Sequence, residues 1–249
     1  MIVEYPKVEV AKLIERKNRF IAHCYLPEKG EVVVHVKNTG RCRELFYPGV
    51  EVALSYQASA TRKTDYDLIA VKKGAKWINI DSQVPNLLTY EGIRNGQISL
   101  PGLTGEIATI RREVTFNHSR FDVYLETDQD EKVIVEVKGL TLENQQIGAF
   151  PDAPTERGLK HVRELIELGQ AGYRVYLLFI VQMADTQVAT IHNEMQPALA
   201  TTIAEGQRTG LEVLAYTCQV TPNTIEIKEP IPFDLTAPFI NPNDDSAAT

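Results

Sequence analysis

SRFDVYLETDQDEKVIVEVKG, residues 119–139, is the stretch on which the reading of the fold turns. Two runs rich in Val, Ile, Phe and Tyr, Arg120 to Glu126 and Lys132 to Lys138, flank a polar turn, Thr127-Asp128-Gln129-Asp130-Glu131, which is a hairpin pattern. Strand side chains alternate between faces, so Val133, Val135 and Val137 share one face and Ile134, Glu136 and Lys138 the other. Antiparallel pairing around the turn brings Asp122 of the first run towards Glu136 and Lys138 of the second. Two acids and a lysine would then converge.

That trio suits metal-assisted hydrolysis of a phosphodiester. Two carboxylates and a backbone carbonyl are hard oxygen ligands for Mg2+, which keeps waters and takes up phosphate oxygens. A lysine beside them is a positioned point charge for the attacking water or for charge developing on phosphorus. Acid-x-Lys is also short and common, and it equally describes the solvated face of a half-buried strand.

Working outward, the chain has 249 residues, 43% hydrophobic and 24% charged, ordinary for a soluble protein of one large domain or two small ones. Cys24, Cys42 and Cys218 are far apart, odd in number and without a CxxC pair, so reduced thiols are expected and a disulfide frame or zinc site is not. MIVEYPKVEV lacks a basic region followed by an apolar core, and the longest apolar run, Val175 to Val181, is too short to span a bilayer. A cytoplasmic protein with no membrane partner is expected.

The net charge of −7 hides an asymmetry. Residues 1–80 carry 14 Lys or Arg against 9 Asp or Glu, whereas residues 81–249 carry 12 against 24. A basic module that attracts phosphates would thus be joined to an acidic one that binds anions through a metal or a local patch.

The basic module reads as short strands at Val8 to Ile14, Phe20 to Leu26, Val32 to Val36, Val50 to Tyr56, Tyr66 to Val71 and Trp77 to Ile80, with no helical period between them. About five such strands suggest a small closed barrel of the OB type, an architecture that commonly binds nucleic acid. Its basic residues sit at turns: Arg16, Lys17 and Arg19; Lys37, Arg41 and Arg43; Arg62 and Lys63. They are candidate phosphate contacts.

Beyond a boundary near Ile80 to Ser82, Asp81 to Gln97 reads as a helical segment and Ile107 to Phe116 as a strand leading into the hairpin. Gly139 to Phe150 is polar and glycine-bearing. In FPDAPTERGLKHVRELIEL, Leu159, Val162, Leu165 and Ile166 form an apolar stripe, with a cap expected among Asp152 to Thr155. The opposite face collects Arg157, Lys160, His161 and Glu164, which would meet a phosphate backbone or simply solvent. Tyr173 to Val181 reads as a strand buried on both faces. Glu194 to Arg208 reads as a helix with Pro197 in its first turn, followed by strands at Leu211 to Val220 and Thr224 to Lys228. Pro238 to Thr249 reads as a loose acidic tail.

Asn38-Thr39-Gly40, Ser119-Arg120-Phe121-Asp122, Glu136-Val137-Lys138 and above all FPDAPTERG at 150–158, with Lys160-His161 and Arg163-Glu164-Leu165, resemble the sugar fermentation stimulation protein A family of prokaryotes. The resemblance runs to about Leu235. It implies an α+β (α/β) chain: an OB-like barrel over 1–80, a domain like the PD-(D/E)xK nuclease superfamily with a mixed central sheet over 81–235, and a flexible tail over 236–249. It further implies Asp122, Glu136 and Lys138 as the catalytic set. Asp122, Glu136, the Val137 carbonyl and Glu91 would hold Mg2+ or Mn2+, with Glu113 competing with Glu91 for the extra acid. Phe121 stands where the superfamily motif has proline. The family is described as DNA-binding without strong sequence preference and as a regulator of sugar (maltose) utilisation genes. Two activities follow as expectations, a Mg2+-dependent deoxyribonuclease and a non-catalytic DNA-binding regulator. RNA as ligand and a homodimer are both compatible with the sequence.

Overall fold

The structure is a computed structural model that describes residues 1–38, 40–116 and 119–244. Thr39 of the Asn-Thr-Gly turn and the last five residues of the expected tail lie outside the described residues.

The amino-terminal part is a closed barrel. Strands β2 (Val8–Arg16), β3 (Ile21–Leu26), β4 (Gly30–Val36), β5 (Glu51–Tyr56) and β6 (Tyr66–Lys73) pair in the order β4-β3-β2-β5-β6. Parallel pairing of β4 with β6, Val34 to Tyr66 and Val36 to Leu68, closes the ring. Alternation decides what fills it: Ala22, Cys24 and Leu26 of β3 are buried, while Ile21, His23 and Tyr25 between them face outward. A further strand, β7 (Lys76–Asn79), extends β6 as a hairpin.

The second part is the mixed sheet expected from the resemblance, preceded and crossed by helices. Helix α1 (Val84–Arg94) starts where Asp81 Oδ1 accepts the Gln83 N–H at 2.9 Å, with a proline in its first turn. The meander β8 (Ile107–Phe116), β9 (Ser119–Thr127), β10 (Lys132–Leu140) follows, then helix α2 (Glu156–Gln170) and strand β13 (Arg174–Val181). Thr155 caps α2, its hydroxyl accepting the Gly158 N–H at 3.0 Å. Helix α3 (Pro197–Arg208) begins at Pro197 and ends before Gly210, whose φ of 104° suits glycine. Strands β15 (Leu211–Val220) and β16 (Thr224–Ile231) complete the sheet.

Here β10, β13 and β15 run parallel and the flanking strands antiparallel. One face of β10 (Val133, Val135, Val137) packs with Val84, Leu88 and Ile93 of α1, and the other (Ile134) with Leu159, Val162 and Leu165 of α2. The second layer is continuous with the barrel interior, so the two parts share one apolar core.

Three features depart from the expectations. The first strand, β1 (Ile2–Glu4), pairs with β16, so the chain's first residues belong to the mixed sheet and not to the barrel. The polar segment after Gly139 forms a small separate sheet, β11 (Leu142–Asn144) and β12 (Ile147–Phe150), joined by β14 (Val188–Ile191). Its strands are too short for alternation to show. The part of the tail that is described is held: the Ile240 carbonyl accepts from Asn144 Nδ2 at 3.0 Å, and the Phe239 ring stands edge-on to His192 at 5.2 Å.

All three cysteines are buried and unpaired. Among the described residues no helix is long and apolar enough to cross a membrane.

Candidate active site

The site forms where two paired strands part. Pairing of β9 with β10 runs from Glu126 and Lys132 to Val123 and Val135 and stops there. One step on, the Asp122 carboxylate replaces the ladder: Oδ2 accepts the Val137 N–H at 2.8 Å, and Oδ1 accepts from Asn86 Nδ2 of α1 at 2.6 Å. The register of β8 puts Glu113 level with Asp122, between the pairs Arg112–Val123 and Val114–Phe121. Glu113 adopts a φ of 55°, rare for a residue with a Cβ, so the edge strand also breaks its regularity here.

Glu136 is 2% exposed, on the α2 side of β10 as the alternation requires. Its Oε1 receives Lys138 Nζ and lies 2.7 Å from Nδ1 of His161. Nε2 of that ring accepts from Arg157 Nε at 3.5 Å, so Nδ1 carries the hydrogen directed at Glu136. Glu136 Oε2 is buried and has no hydrogen-bond partner among the described residues. A lone buried carboxylate oxygen is costly unless something meets it.

The two acids are driven apart in proton affinity. Burial, and then the charge of Glu136, pushes the Asp122 carboxyl up to about 6 against the opposing pull of the Val137 N–H, Lys138 and Asn86. Burial also presses Glu136 upward, but Lys138 and His161 outweigh it and hold this carboxyl below the usual range. Glu136 is the permanent anion and Asp122 the acid that titrates near neutrality.

The groups open into a cleft of about 290 Å³ lined also by Ser82, Glu113, Arg120, Phe150, Thr155 and Arg157. On one side, through Arg120, Arg157 and His161, it continues into a groove bearing Lys160 and Arg163. On the other, through Ser82, Phe150 and Thr155, it meets a recess reaching Arg19 of the barrel.

Residues 83–224 match the model of the sugar fermentation stimulation protein RE domain, and residues 14–80 that of the SfsA N-terminal OB domain. The chain belongs to the sugar fermentation stimulation protein family. A homolog from Enterococcus mundtii is 57% identical over 242 residues, covering 97% of this chain and 100% of its own. One from Desulfitobacterium hafniense is 45% identical over 224 residues, covering 90% and 95%. The structure of Pyrococcus furiosus SfsA in complex with Ca2+ superposes with a TM-score of 0.83 at 24% identity, covering 94% of this chain and 98% of that one.

In this family member the other expected site residues divide. Glu91 does not reach the cleft: five residues beyond Asn86, it lies about 140° round the helix, and its carboxylate meets Arg94 at 3.2 Å. Glu113, its competitor, lines the cleft. Arg16 is no free phosphate contact. Its guanidinium donates to the carbonyls of Asn18, Arg19, Asn38, Gly40 and Arg41 and lies 4.4 Å from the Phe46 ring centroid. Lys17 pairs with Glu15 at 2.7 Å, and Lys37 with the buried Asp81 at 2.9 Å. Arg19 and Arg41 are exposed. Lys160 is exposed and pairs with Glu164 at 3.5 Å.

His161, expected among the wet residues of α2, is 7% exposed and turned inward. It lies about 40° round the helix from Leu165 and about 20° from Leu168, both buried, so the buried arc is wider than the stripe first counted. Asn86 and Arg120 were not anticipated as site residues. Asn86 becomes visible only when α1 packs beside β9. Among the described residues no group of three or more His, Cys, Asp or Glu side chains is gathered tightly enough to enclose a metal ion.

Proposed function

We propose that this chain binds DNA and hydrolyses phosphodiester bonds in the Asp122–Glu136–Lys138 cleft with the help of a divalent cation, Mg2+ or Mn2+. The observation that carries the reading is the buried, unpartnered Oε2 of Glu136 beside the Asp122 carboxylate, with Lys138 at the rim. The residues fit such an ion. Mg2+ is commonly held by one or two carboxylates, with waters and substrate phosphates completing its shell, so two acids suffice without a closed cage. Asp122, Glu136 and the Val137 carbonyl are the proposed ligands, with Glu113 in place of Glu91 as the additional acid. Pyrococcus furiosus SfsA is known with Ca2+, a cation that prefers the same oxygen donors.

When bound, the cation supplies Lewis acidity towards a phosphate oxygen and a nucleophilic water. The protein supplies the rest. Lys138, held on Glu136, presents an ammonium to the scissile phosphate. His161 fixes the Glu136 carboxylate through Nδ1–H and is itself oriented by Arg157. Arg120, Arg157, Lys160 and Arg163 line the path by which a phosphate backbone would approach, and the β2–β6 barrel adds Arg19 on the other side.

A second reading has its own observation: both oxygens of Asp122 already accept hydrogen bonds from the protein. A sequence-independent DNA-binding regulator of sugar-metabolism genes would need no more of that acid. The test is cleavage of single-stranded, duplex and branched DNA with Mg2+ or Mn2+ by wild type, Asp122→Ala and Lys138→Ala. Activity lost by orders of magnitude in both variants supports the nuclease. No cleavage of any substrate, with DNA binding intact in all three proteins, supports the regulator.

A further inference from the structure

Beside the catalytic cleft lies a recess of about 300 Å³ between barrel and sheet, sharing Ser82, Phe150 and Thr155 with the cleft. Gly139, which lines it, directly follows Lys138 on β10. A group attached to a phosphodiester in the cleft can therefore reach the recess.

The walls say what chemistry fits. Gln182 is 1% exposed and lines the recess. Its Nε2 donates to Asn79 Oδ1 at 2.9 Å and to the Asp81 carbonyl at 3.0 Å, so the amide cannot turn. The Oε1 is thereby committed to the side of Gly139, where a Cβ would stand 2.5 Å from it. It accepts no hydrogen bond among the described residues. On a residue that lines the recess, an amide oxygen without a partner and with its other end pinned can take an N–H donor.

Around it, Thr141 is 8% exposed, and among the described residues its hydroxyl has only the weak 3.9 Å contact of the Cys42 thiol. Asp152 contributes a carboxylate of which, among the described residues, only Oδ2 is engaged, by the Cys42 N–H at 3.0 Å and its thiol at 3.6 Å. Acceptors thus dominate the polar wall. The Phe150 ring supplies an apolar one, and Arg19 brings a cation with no ion pair among the described residues. An acceptor edge, an aromatic wall and a nearby cation match a nucleobase with N–H groups on its Watson–Crick edge, attached to a phosphate.

We propose that this recess takes up one unpaired base of the substrate strand, next to the phosphate in the cleft, with Gln182 Oε1 receiving an N–H of its pairing edge. This deepens the nuclease reading and rests on it for the position of the phosphate. A paired base cannot offer that edge. The preferred substrate is therefore single-stranded, or a duplex whose base has left the stack.

The test uses the full chain and equilibrium binding in Ca2+ of three fluorescein-labelled probes: a single-stranded DNA 12-mer of mixed sequence, the same sequence as a blunt duplex, and a 12-mer of abasic deoxyribose phosphate. The wild type is expected to bind the single strand at least about fivefold more tightly than the abasic strand, the low end of what one recognised base contributes. Ala153 lines the recess, and Ala153→Trp, which narrows it with an indole, is expected to abolish that difference while leaving abasic-strand affinity unchanged. Thr141→Val, nearly isosteric, is expected to reduce it about threefold, the low end for one lost hydrogen bond, and decides the matter if the tryptophan variant does not fold. Equal affinity of the wild type for single and abasic strands would overturn the proposal, and so would an undiminished difference in both variants. These outcomes are independent of cleavage: a protein that discriminates bases but never cuts would retain the recess and lose the nuclease.

Discussion

Glu136 Oε1 and His161 Nδ1 meet at 2.7 Å inside the protein, while Oε2 of the same carboxylate has no partner among the described residues. One oxygen is anchored by the chain and the other is left for something the chain does not provide. If His161 orients the carboxylate, His161→Leu should lower Mn2+ affinity and cleavage by about 10- to 100-fold, the usual effect of removing such a supporting partner. His161→Asn, whose amide can donate from nearly the same place, should restore much of it. Mn2+ titration of both variants separates orientation from mere packing, since leucine fills the space and donates nothing.

Asp122 sets a pH dependence whose sign follows from its surroundings. Its carboxyl is raised on folding to about 6, first by burial and then by Glu136. The folded state therefore binds this proton more tightly than the unfolded chain does. The group favours folding at acid pH and penalises it as pH rises from about 4 through 6. Asp122→Asn keeps an acceptor for the Val137 N–H and removes the charge. In metal-free buffer it should raise the melting temperature at pH 8 and make little difference at pH 4, which thermal unfolding at the two pH values would show. Metal affinity of the wild type should rise over the same interval, because the cation competes with that proton.

Arg16 should prove a stability residue. Its guanidinium gathers five backbone carbonyls from two segments and lies over Phe46. Removing it strands several acceptors at once, so Arg16→Ala should cost about 2–3 kcal/mol in urea unfolding. Arg16→Lys should recover little, because an ammonium cannot span that fan. Lys17→Ala, which breaks only an exposed pair with Glu15, should fall within about 1 kcal/mol of wild type.

The contrast between Arg16 and the hairpin shows where sequence reasoning reached and where it stopped. Alternation along Val133 to Lys138 assigned each side chain to a face, and the packing of Val135 under α1 and Ile134 under α2 is what that rule demands. The barrel followed from the spacing of apolar runs, although its closure, by parallel pairing of β4 with β6, is non-local. What escaped were relations between side chains and distant backbone. Nothing local to Arg16 says that the carbonyl of Arg41 lies beside it, and nothing local to Asn86 says that Asp122 does. His161 was within reach: its angular position beside Leu165 and Leu168 was calculable, but an ionisable residue is readily assigned to solvent. The pairing of Ile2–Glu4 with β16 joins residues more than 200 apart, beyond any pattern.

The groove predicts how salt acts on DNA binding. Lys160 lies on the basic path leading from the cleft, whereas Lys17 is paired with Glu15 at the barrel turn. If phosphates follow that path, Lys160→Ala should weaken binding alike for all sequences. It should also lower the slope of log K against log salt by about 0.9, the value for one phosphate contact on duplex DNA. Lys17→Ala should leave the slope unchanged. Equal slopes for both variants and the wild type would place the DNA elsewhere.

Glu113 and Glu91 separate most sharply. Register sets Glu113 level with Asp122 across β8 and β9, its φ of 55° marks a local break in the strand, and its side chain lines the cleft and meets the exposed Arg120 at 3.4 Å. Glu91 points away from the cleft towards Arg94. Glu113→Gln keeps size and removes one negative charge, so Mn2+ affinity should fall roughly tenfold, comparable to the loss of a supporting group. Glu91→Gln should bind Mn2+ as wild type does and lose only an exposed i,i+3 pair, worth roughly 0.3 kcal/mol to the helix. Isothermal titration of the two variants side by side reads the difference directly. An effect at Glu91 with none at Glu113 would mean that the extra acid reaches the site by a rearrangement of α1.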